Sequence, residues 1–366
     1  ETKQIFEYFK KNNIDFFSGV PDSILKKTSH FLEKKNIQNI VAANEGGAAA
    51  ICMGYHLSTQ KIPCLYLQNS GLGNAINPLA SISHKKVYSI PMLILIGWRG
   101  APGEKDESQH MVKGEITKNL LKNLNINYCI LKEKSDFKKL KLLLRYSRLH
   151  KKPVACLIKK NTFFNKFEKR KQKKIKKNNL LTREIFITEL LNSIKSSTKI
   201  IASTGFISRE LYQIRKENNF KKGKDFYMVG GMGHSSSLSL GVSLKTKKDV
   251  ICIDGDGALI MHMGSMINIA KFGKSNFKHI LLNNFSHESV GGQSTNIDKL
   301  NFSQIIRGFG YKKYFKIDTE YNFKKIIKNF LKTKGPVFLE VKIKKGTLKN
   351  LIRPTNLELI KKNFIK

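Results

Sequence analysis

The chain has 366 residues, of which 40% are hydrophobic and 10% aromatic, a balance that suits globular domains with sizeable cores and excludes a disordered chain. Lys and Arg outnumber Asp and Glu by 67 to 27, yet this net charge of +40 is spread over many segments without an RNP-like motif or a basic patch interleaved with aromatics, so no nucleic-acid partner is expected. No apolar run reaches bilayer-spanning length, and the opening ETKQIFEYFKKNN lacks the apolar core of a signal peptide, so no membrane partner is expected and the expected location is cytoplasmic.

In chain order, DFFSGV (15–20), NIVAA (39–43), IPCLYLQ (62–68), PMLILIG (91–97), INYCIL (126–131) and PVACLIK (153–159) are near-continuous apolar runs. They read as strands covered on both faces. Helix-like stretches such as GGAAAICMGYHLST and SDFKKLKLLLRYSRL lie between them. This alternation predicts a parallel sheet with crossover helices. KKNTFFNKFEKRKQKKIKKNN (159–179) is dense in lysine and reads as a solvated linker, with a nucleic-acid tether as the other reading. The pattern then restarts. Thr182 is a helix cap with Glu184 in the first turn, and KIIAST (199–204), DFYMVG (225–230), DVICID (249–254), FKHILLN (277–283) and PVFLEVKI (336–343) follow as strands. Five cysteines, none in a CxxC pair and most inside apolar runs, are expected to be reduced and buried.

Ligands in such sheets gather at the carboxyl ends of strands. After the first run comes Pro21-Asp22-Ser23, where Asp22 reads as a helix cap or as a catalytic acid. The second run ends at Glu45 before Gly46-Gly47 and three alanines; a carboxylate with so few polar neighbours is expected to hold its proton more tightly. Gly71 and Asn74 lie in the glycine-bearing loop QNSGLGN, either a turn or a close approach to a ligand. In WRGAPGEKDESQH, Arg99 suits an anionic group or an ion pair, with Gln109 and His110 at the segment's end. VGGMGH sets Met232 between Gly231 and Gly233.

The sharpest signal is CIDGDGALIMH. Asp256 stands between Gly255 and Gly257 at a strand end, and 25 residues then separate Gly257 from Asn283-Asn284 in NNFSHESVGGQ. Asp256 and Asn284 offer hard oxygen ligands of the kind Mg2+ prefers, which shares its other positions with water and phosphate. The flanking glycines are expected to admit a phosphate to the backbone, and the helix that follows favours an anion.

GDG, about 25 residues, then NN resembles the cofactor motif of thiamine diphosphate enzymes. SGVPDSILK, QNSGLGNAINPL, WRGAPGEKDESQH, MVGGMGH and NNFSHESVGGQST resemble, in order, the phosphonopyruvate decarboxylases of that superfamily. The resemblance implies an α/β chain of two thiamine diphosphate-binding folds with parallel sheets, helices on both faces and no middle domain: residues 1–162 for the pyrimidine, a basic linker over 163–181, and 182–366 for the diphosphate. It implies non-oxidative decarboxylation of a small anionic 2-oxo acid with thiamine diphosphate and Mg2+. Glu45 would activate the pyrimidine, Met232 would prop the cofactor, and Asp256, Asn284 and the carbonyl of Ser286 would hold the metal. Gly71, Asn74, Gly233, Gly255, Gly257 and Ala258 would line the cofactor. Asp22, His110 and His287 would handle protons, and Asp22, Arg99, Gln109, Glu288 and Gln293 would meet the substrate. The departures are Phe285 where the family has Gly, Ser286 where it has Ala, and Ser108 and Ser294 where it has Pro. The resemblance also implies a homo-oligomer, a dimer or larger, with its active site at the subunit interface. Sulfopyruvate decarboxylase is the alternative within the superfamily; carboligation by a relative of acetolactate synthase is disfavoured because a middle domain is not expected.

Overall fold

Every apolar run named above becomes a parallel strand in the computed structural model, which describes residues 2–34, 37–160, 162 and 180–366. The expected linker lies almost wholly outside the described residues. The chain divides into two units, Glu1–Arg170 with Val290–Gln293, and Lys171–Ser289 with Ser294–Lys366.

The first unit holds β1 (Phe16–Gly19), β2 (Gln38–Val41), β3 (Cys64–Gln68), β4 (Leu93–Gly97), β5 (Asn127–Leu131) and β6 (Val154–Ile158), in the order β2-β1-β3-β4-β6-β5. Side chains alternate between faces along a strand. Leu65, Leu67, Ile94, Ile96, Ala155 and Leu157 accordingly join one apolar cluster, with Ala48, Ala49 and Cys52 of the helix Glu45–Thr59. Cys64, Tyr66, Leu93, Leu95, Val154 and Cys156 join another, with Ile5, Phe6 and Phe9 of the helix Thr2–Lys11. Burial on both faces is the reason these strands read as continuous apolar runs rather than alternating ones.

The second unit holds β7 (Lys199–Ala202), β8 (Lys224–Tyr227), β9 (Val250–Gly255), β10 (Phe277–Asn283), β11 (Lys313–Ile317) and β12 (Val337–Lys342), in the order β11-β12-β10-β9-β7-β8. Read from the other edge and counted within the unit, this is the same 2-1-3-4-6-5 order. Thr182 caps the helix Arg183–Ser193, its hydroxyl accepting from the Ile185 amide at 3.2 Å. Strand β11, KYFKI, was missed by the apolar-run criterion. It is an edge strand whose two lysines point to water, which breaks the run.

The strands of each sheet are all parallel, so their carboxyl ends share one edge. In the first sheet the connections change direction between β1 and β3, and in the second between β7 and β9. Such switch points open crevices for ligands. Among the described residues, no helix is long and apolar enough to cross a membrane.

Candidate active site

In the first unit the tips of β1, β2 and β3 assemble a carboxylate site. Glu45 opens its helix just beyond β2; Asn44 caps that helix, its side-chain oxygen accepting from the Gly47 amide at 2.8 Å. The Glu45 side chain folds inward and is 6% exposed. Its Oε2 accepts from Asn74 Nδ2 at 2.7 Å. A Cβ on Gly71 would stand 2.1 Å from Oε1, so the bare α-carbon is what lets the carboxyl lie there. Burial pushes the Glu45 carboxyl above its ordinary pKa, against the opposing pull of Asn74. The sequence therefore foretold both the position and the sense of this shift.

Asp22 follows β1 and is 1% exposed. One oxygen does what a cap does, with Oδ2 accepting from the amides of Ile24 and Leu25 at 3.0 Å each. The other, Oδ1, is buried without a hydrogen-bond partner among the described residues. The cap-like hydrogen bonds thus occupy one oxygen and leave the other unpartnered among the described residues. Burial raises its pKa to about 6, despite the two amides and the nearby Arg99. Gly97 makes room for it, since a Cβ there would meet Oδ2 at 2.0 Å.

Arg99 is committed elsewhere. Its Nε and Nη2 grip both oxygens of Asp106, and Nη1 donates to Ser23 Oγ at 3.0 Å. The geometry favours the ion-pair reading of Arg99 over a free anion clamp. Asp106 also accepts from the amides of Gly100 and Glu107, and the guanidinium helps to hold its carboxyl well below the usual range. Nothing in the spacing marked Asp106, although it lay in plain view seven residues after Arg99. Gln109 and His110 begin the helix Ser108–Asn123, half-buried. Gln293 is buried, and its side-chain amide has no partner among the described residues.

The second unit builds its site at the tips of β9 and β10, which are hydrogen-bonded neighbours. Asp256 is 4% exposed at the start of the helix Asp256–Met261. Its Oδ2 accepts from the Ser286 amide at 2.8 Å and from Thr295 Oγ1 at 3.0 Å, and Oδ1 from the Gly257 amide at 3.0 Å. The Ser286 amide also donates to Asn284 Oδ1 at 3.2 Å. One N–H thus draws the oxygens of Asp256 and Asn284 together. Asn284 Nδ2 donates to Glu288 Oε2 at 2.8 Å, which turns its oxygen to the Asp256 side. The donors to Asp256 are two amides and a hydroxyl, none of them cationic, and burial lifts its pKa to about 6.

Glu288 is bound up in the scaffold. Arg183 Nη2 donates to it at 2.9 Å and the Gly346 amide also donates to it, while Arg183 pairs on its other side with buried Glu210. The carboxylate thus orients Asn284, a use the sequence did not suggest. Thr295 was likewise missed; a hydroxyl eleven residues past Asn284 gives no signal of its own. Removing it by Thr295→Val takes a donor from the ionised form of Asp256. The Asp256 pKa is then expected to rise by about 1 above its value in the parent protein, read from the carboxyl carbon shift in metal-free protein.

The glycines beside Asp256 have close side-chain neighbours in the direction a Cβ would take. A Cβ on Gly257 would meet His287 Nδ1 at 2.6 Å and the Met232 methyl at 3.2 Å, and one on Gly255 would meet Ile207 at 3.3 Å. The bare α-carbon of Gly257 thus leaves room for the His287 ring and the Met232 methyl. Met232 thereby packs on the Asp256 turn. His287 is 4% exposed with both ring nitrogens unpartnered among the described residues, and burial lowers its pKa to about 4, so the ring is neutral at pH 7. Ser286 is buried too, its hydroxyl without a partner among the described residues, and Ala258 follows in the helix, 5% exposed. Phe285 takes φ 57°, the left-handed region in which a glycine would carry no penalty. Its ring packs on the cluster containing Ile297 and Phe302, and the Lys342 ammonium lies 6.0 Å from its centroid, so side-chain packing holds the loop where glycine would leave it free.

Models of two domain families match the chain: "Thiamine pyrophosphate enzyme, N-terminal TPP binding domain" over residues 2–121, and "Thiamine pyrophosphate enzyme, C-terminal TPP binding domain" over residues 203–341. The chain belongs to the thiamine pyrophosphate enzymes. Glu45 falls within the first match, and Asp256 and Asn284 within the second. Among curated relatives of this thiamine pyrophosphate enzyme, a phosphonopyruvate decarboxylase of Streptomyces hygroscopicus is 29% identical over 352 residues, covering 92% of this chain and 86% of the relative. One from Streptomyces viridochromogenes is 29% identical over 355 residues, covering 92% and 87%. A sulfopyruvate decarboxylase of Methanosarcina acetivorans is 27% identical over 312 residues, covering 80% and 78%.

Proposed function

We propose that this thiamine pyrophosphate enzyme decarboxylates 3-phosphonopyruvate to phosphonoacetaldehyde and CO2, as a cytoplasmic step of phosphonate biosynthesis. The observation that carries the reading is the convergence of Asp256 and Asn284 on the single Ser286 amide at two adjacent strand tips. A buried carboxylate whose partners are all neutral is expected to seek a cation. A diphosphate is itself anionic and meets that carboxylate favourably only across a metal. The oxygen donors Asp256, Asn284 and the Ser286 carbonyl suit Mg2+. Met232, Gly233, Gly255, Gly257 and Ala258 would border the diphosphate end, and Gly71 and Asn74 the pyrimidine end.

Thiamine diphosphate, when bound, supplies the electron sink that makes loss of CO2 feasible. The protein's share is placement and proton handling. Glu45, with its raised pKa, is suited to share a proton with the pyrimidine ring. Asp22, with one unpartnered oxygen and a pKa of about 6, is suited to pass a proton to or from the reacting carbon. His110 and neutral His287 are further proton carriers. Gln109 and Gln293 are the better candidates for the phosphonate head group, with Arg99 and Glu288 acting through the side chains that they hold. The positive charge of the chain favours a multiply charged substrate.

The reading requires Glu45 of one subunit to serve the Asp256 site of another, so the active form is a homo-oligomer, a dimer or larger. Specific activity is expected to fall on dilution as the assembly dissociates, and a fully active monomer would refute this part. Sulfopyruvate is the competing substrate, as the Methanosarcina acetivorans relative illustrates. Purified protein given thiamine diphosphate and Mg2+ is expected to release CO2 faster from phosphonopyruvate than from sulfopyruvate. Chelation should stop the reaction and Mg2+ restore it. Faster turnover of sulfopyruvate would reverse the substrate assignment, and activity that survives chelation would remove the metal from it.

A further inference from the structure

Beneath the Asp256 turn lies a polar island that the proposed chemistry leaves unused. It comprises Cys252 and Asp254 on β9, His279 on β10, Ser235 at the start of the helix Ser235–Lys245, and Tyr311 just before β11. All five are 5% exposed or less. His279 Nε2 lies 3.0 Å from Asp254 Oδ2, and Nδ1 lies 3.0 Å from the Tyr311 hydroxyl. Ser235 Oγ donates to Asp254 Oδ1, and Cys252 Sγ donates to Oδ2 at 3.6 Å. One arrangement of protons serves every group: the phenol donates to Nδ1, Nε2–H donates to the carboxylate, and the hydroxyl and thiol donate to it as well.

Cys252, Asp254 and His279 place a thiol, a carboxylate and an imidazole within 4.8 Å of one another, a donor set that zinc accepts. Here each of those atoms already has a hydrogen-bond partner, and Ser235 and Tyr311 complete the set. The island is therefore a closed hydrogen-bond network rather than a metal cage, and a fully satisfied network of this kind holds its members in one geometry.

Its reach is what gives it a role. Ser235 directly follows the Gly231–His234 turn that carries Met232, and Asp254 stands two residues before Asp256. The same turn is also pinned from its other side. Gly233 has φ 88°, and a Cβ there would meet His262 at 2.6 Å and the Ala258 carbonyl at 3.3 Å. His234 stacks on His262 with centroids 4.6 Å apart. We infer that Asp254 is a positioning residue. Its carboxylate ties the Met232 turn, through Ser235, to the strand end that delivers Asp256, so that the apolar prop and the metal carboxylate move as one body. His279 and Tyr311 orient Asp254 from behind. The consequence for the cofactor rests on the function proposed above; the mechanical link does not.

The test uses the full chain and the variants Ser235→Ala, Asp254→Asn and their double. In unligated Ser235→Ala protein, amides of residues 231–236 and of 255–258 are expected to exchange about tenfold faster, while those of β12 stay unchanged. Affinity for thiamine diphosphate with Mg2+ is expected to fall about tenfold in each single variant. The double variant is expected to bind no more weakly than Asp254→Asn alone, because the two residues act through one bond. The near-ultraviolet circular dichroism of bound cofactor should shift with them. Faster exchange confined to residues 231–236, additive losses in the double variant, or stoichiometric zinc in the parent protein would each overturn the inference. A parent protein that does not bind thiamine diphosphate would sink the functional reading instead, and the exchange coupling would still decide the link.

Discussion

Glu45→Gln is expected to lower kcat by about 10^2- to 10^4-fold while leaving thiamine diphosphate affinity little changed. The side chains have the same shape, and Gln can keep a hydrogen bond to Asn74, which holds Oε2 at 2.7 Å. What disappears is the carboxyl whose pKa burial has raised. A group that holds its proton more tightly than a surface glutamate is suited to moving that proton during turnover. The matched control is Gly71→Ala. Its new methyl would fall 2.1 Å from Oε1 and so displace the carboxyl without changing its chemistry. Both variants should lose turnover, but only Glu45→Gln should do so without a local shift of structure. Undiminished turnover in Glu45→Gln, with cofactor bound, would remove Glu45 from the proposed chemistry.

Much of this frame could be read from the residues, and the parts that could not share a cause. Central strands buried on both faces need apolar residues at nearly every position and so declared themselves, and the partly exposed edge strands β2, β5 and β8 still adjoined enough apolar residues to be read. Strand β11 did not, because exposed Lys313 and Lys316 leave only Tyr314-Phe315 as an uninterrupted apolar pair. Glu45, Asp22 and Asp256 were legible since a carboxylate just beyond an apolar run is out of place unless the fold uses it. Gly257 was legible as a position without a side chain, but sequence does not show that His287 and Met232 pack where one would stand. The partners Asp106 for Arg99, Thr295 for Asp256 and Arg183 for Glu288 lie 7, 39 and 105 residues away. Pairings of that kind depend on side-chain direction at the end of a loop, where no periodicity constrains them. His279 shows the same limit from inside a strand. As a polar residue within FKHILLN it signals only that something must satisfy it, and the structure supplies Asp254 and Tyr311.

Asp22→Asn is expected to stabilise the unligated first unit at neutral pH while lowering turnover by about 10^2-fold. The folded pKa of about 6 lies above the ordinary 3.8. Between these values the folded chain binds more protons than the unfolded one, so stability falls as pH rises. Well below pH 3.8 both states are protonated and the carboxyl costs nothing; well above about pH 6 both are ionised and the whole penalty is present. The gap between 3.8 and about 6 corresponds to about 3 kcal/mol. Asparagine does not titrate, so its own fixed cost is the same at every pH: an amide nitrogen set where Oδ1 has no partner, worth about 1–3 kcal/mol. The stability of the variant relative to the parent should therefore climb by about 2.5 kcal/mol from pH 4 to pH 8, whatever that fixed cost is. Native-state hydrogen exchange at β1 and β3 measures it within the first unit. A difference that stays flat with pH would mean that Asp22 is ionised in the folded chain as readily as in water, and a group of that kind would have no stored preference for a proton to bring to the reaction.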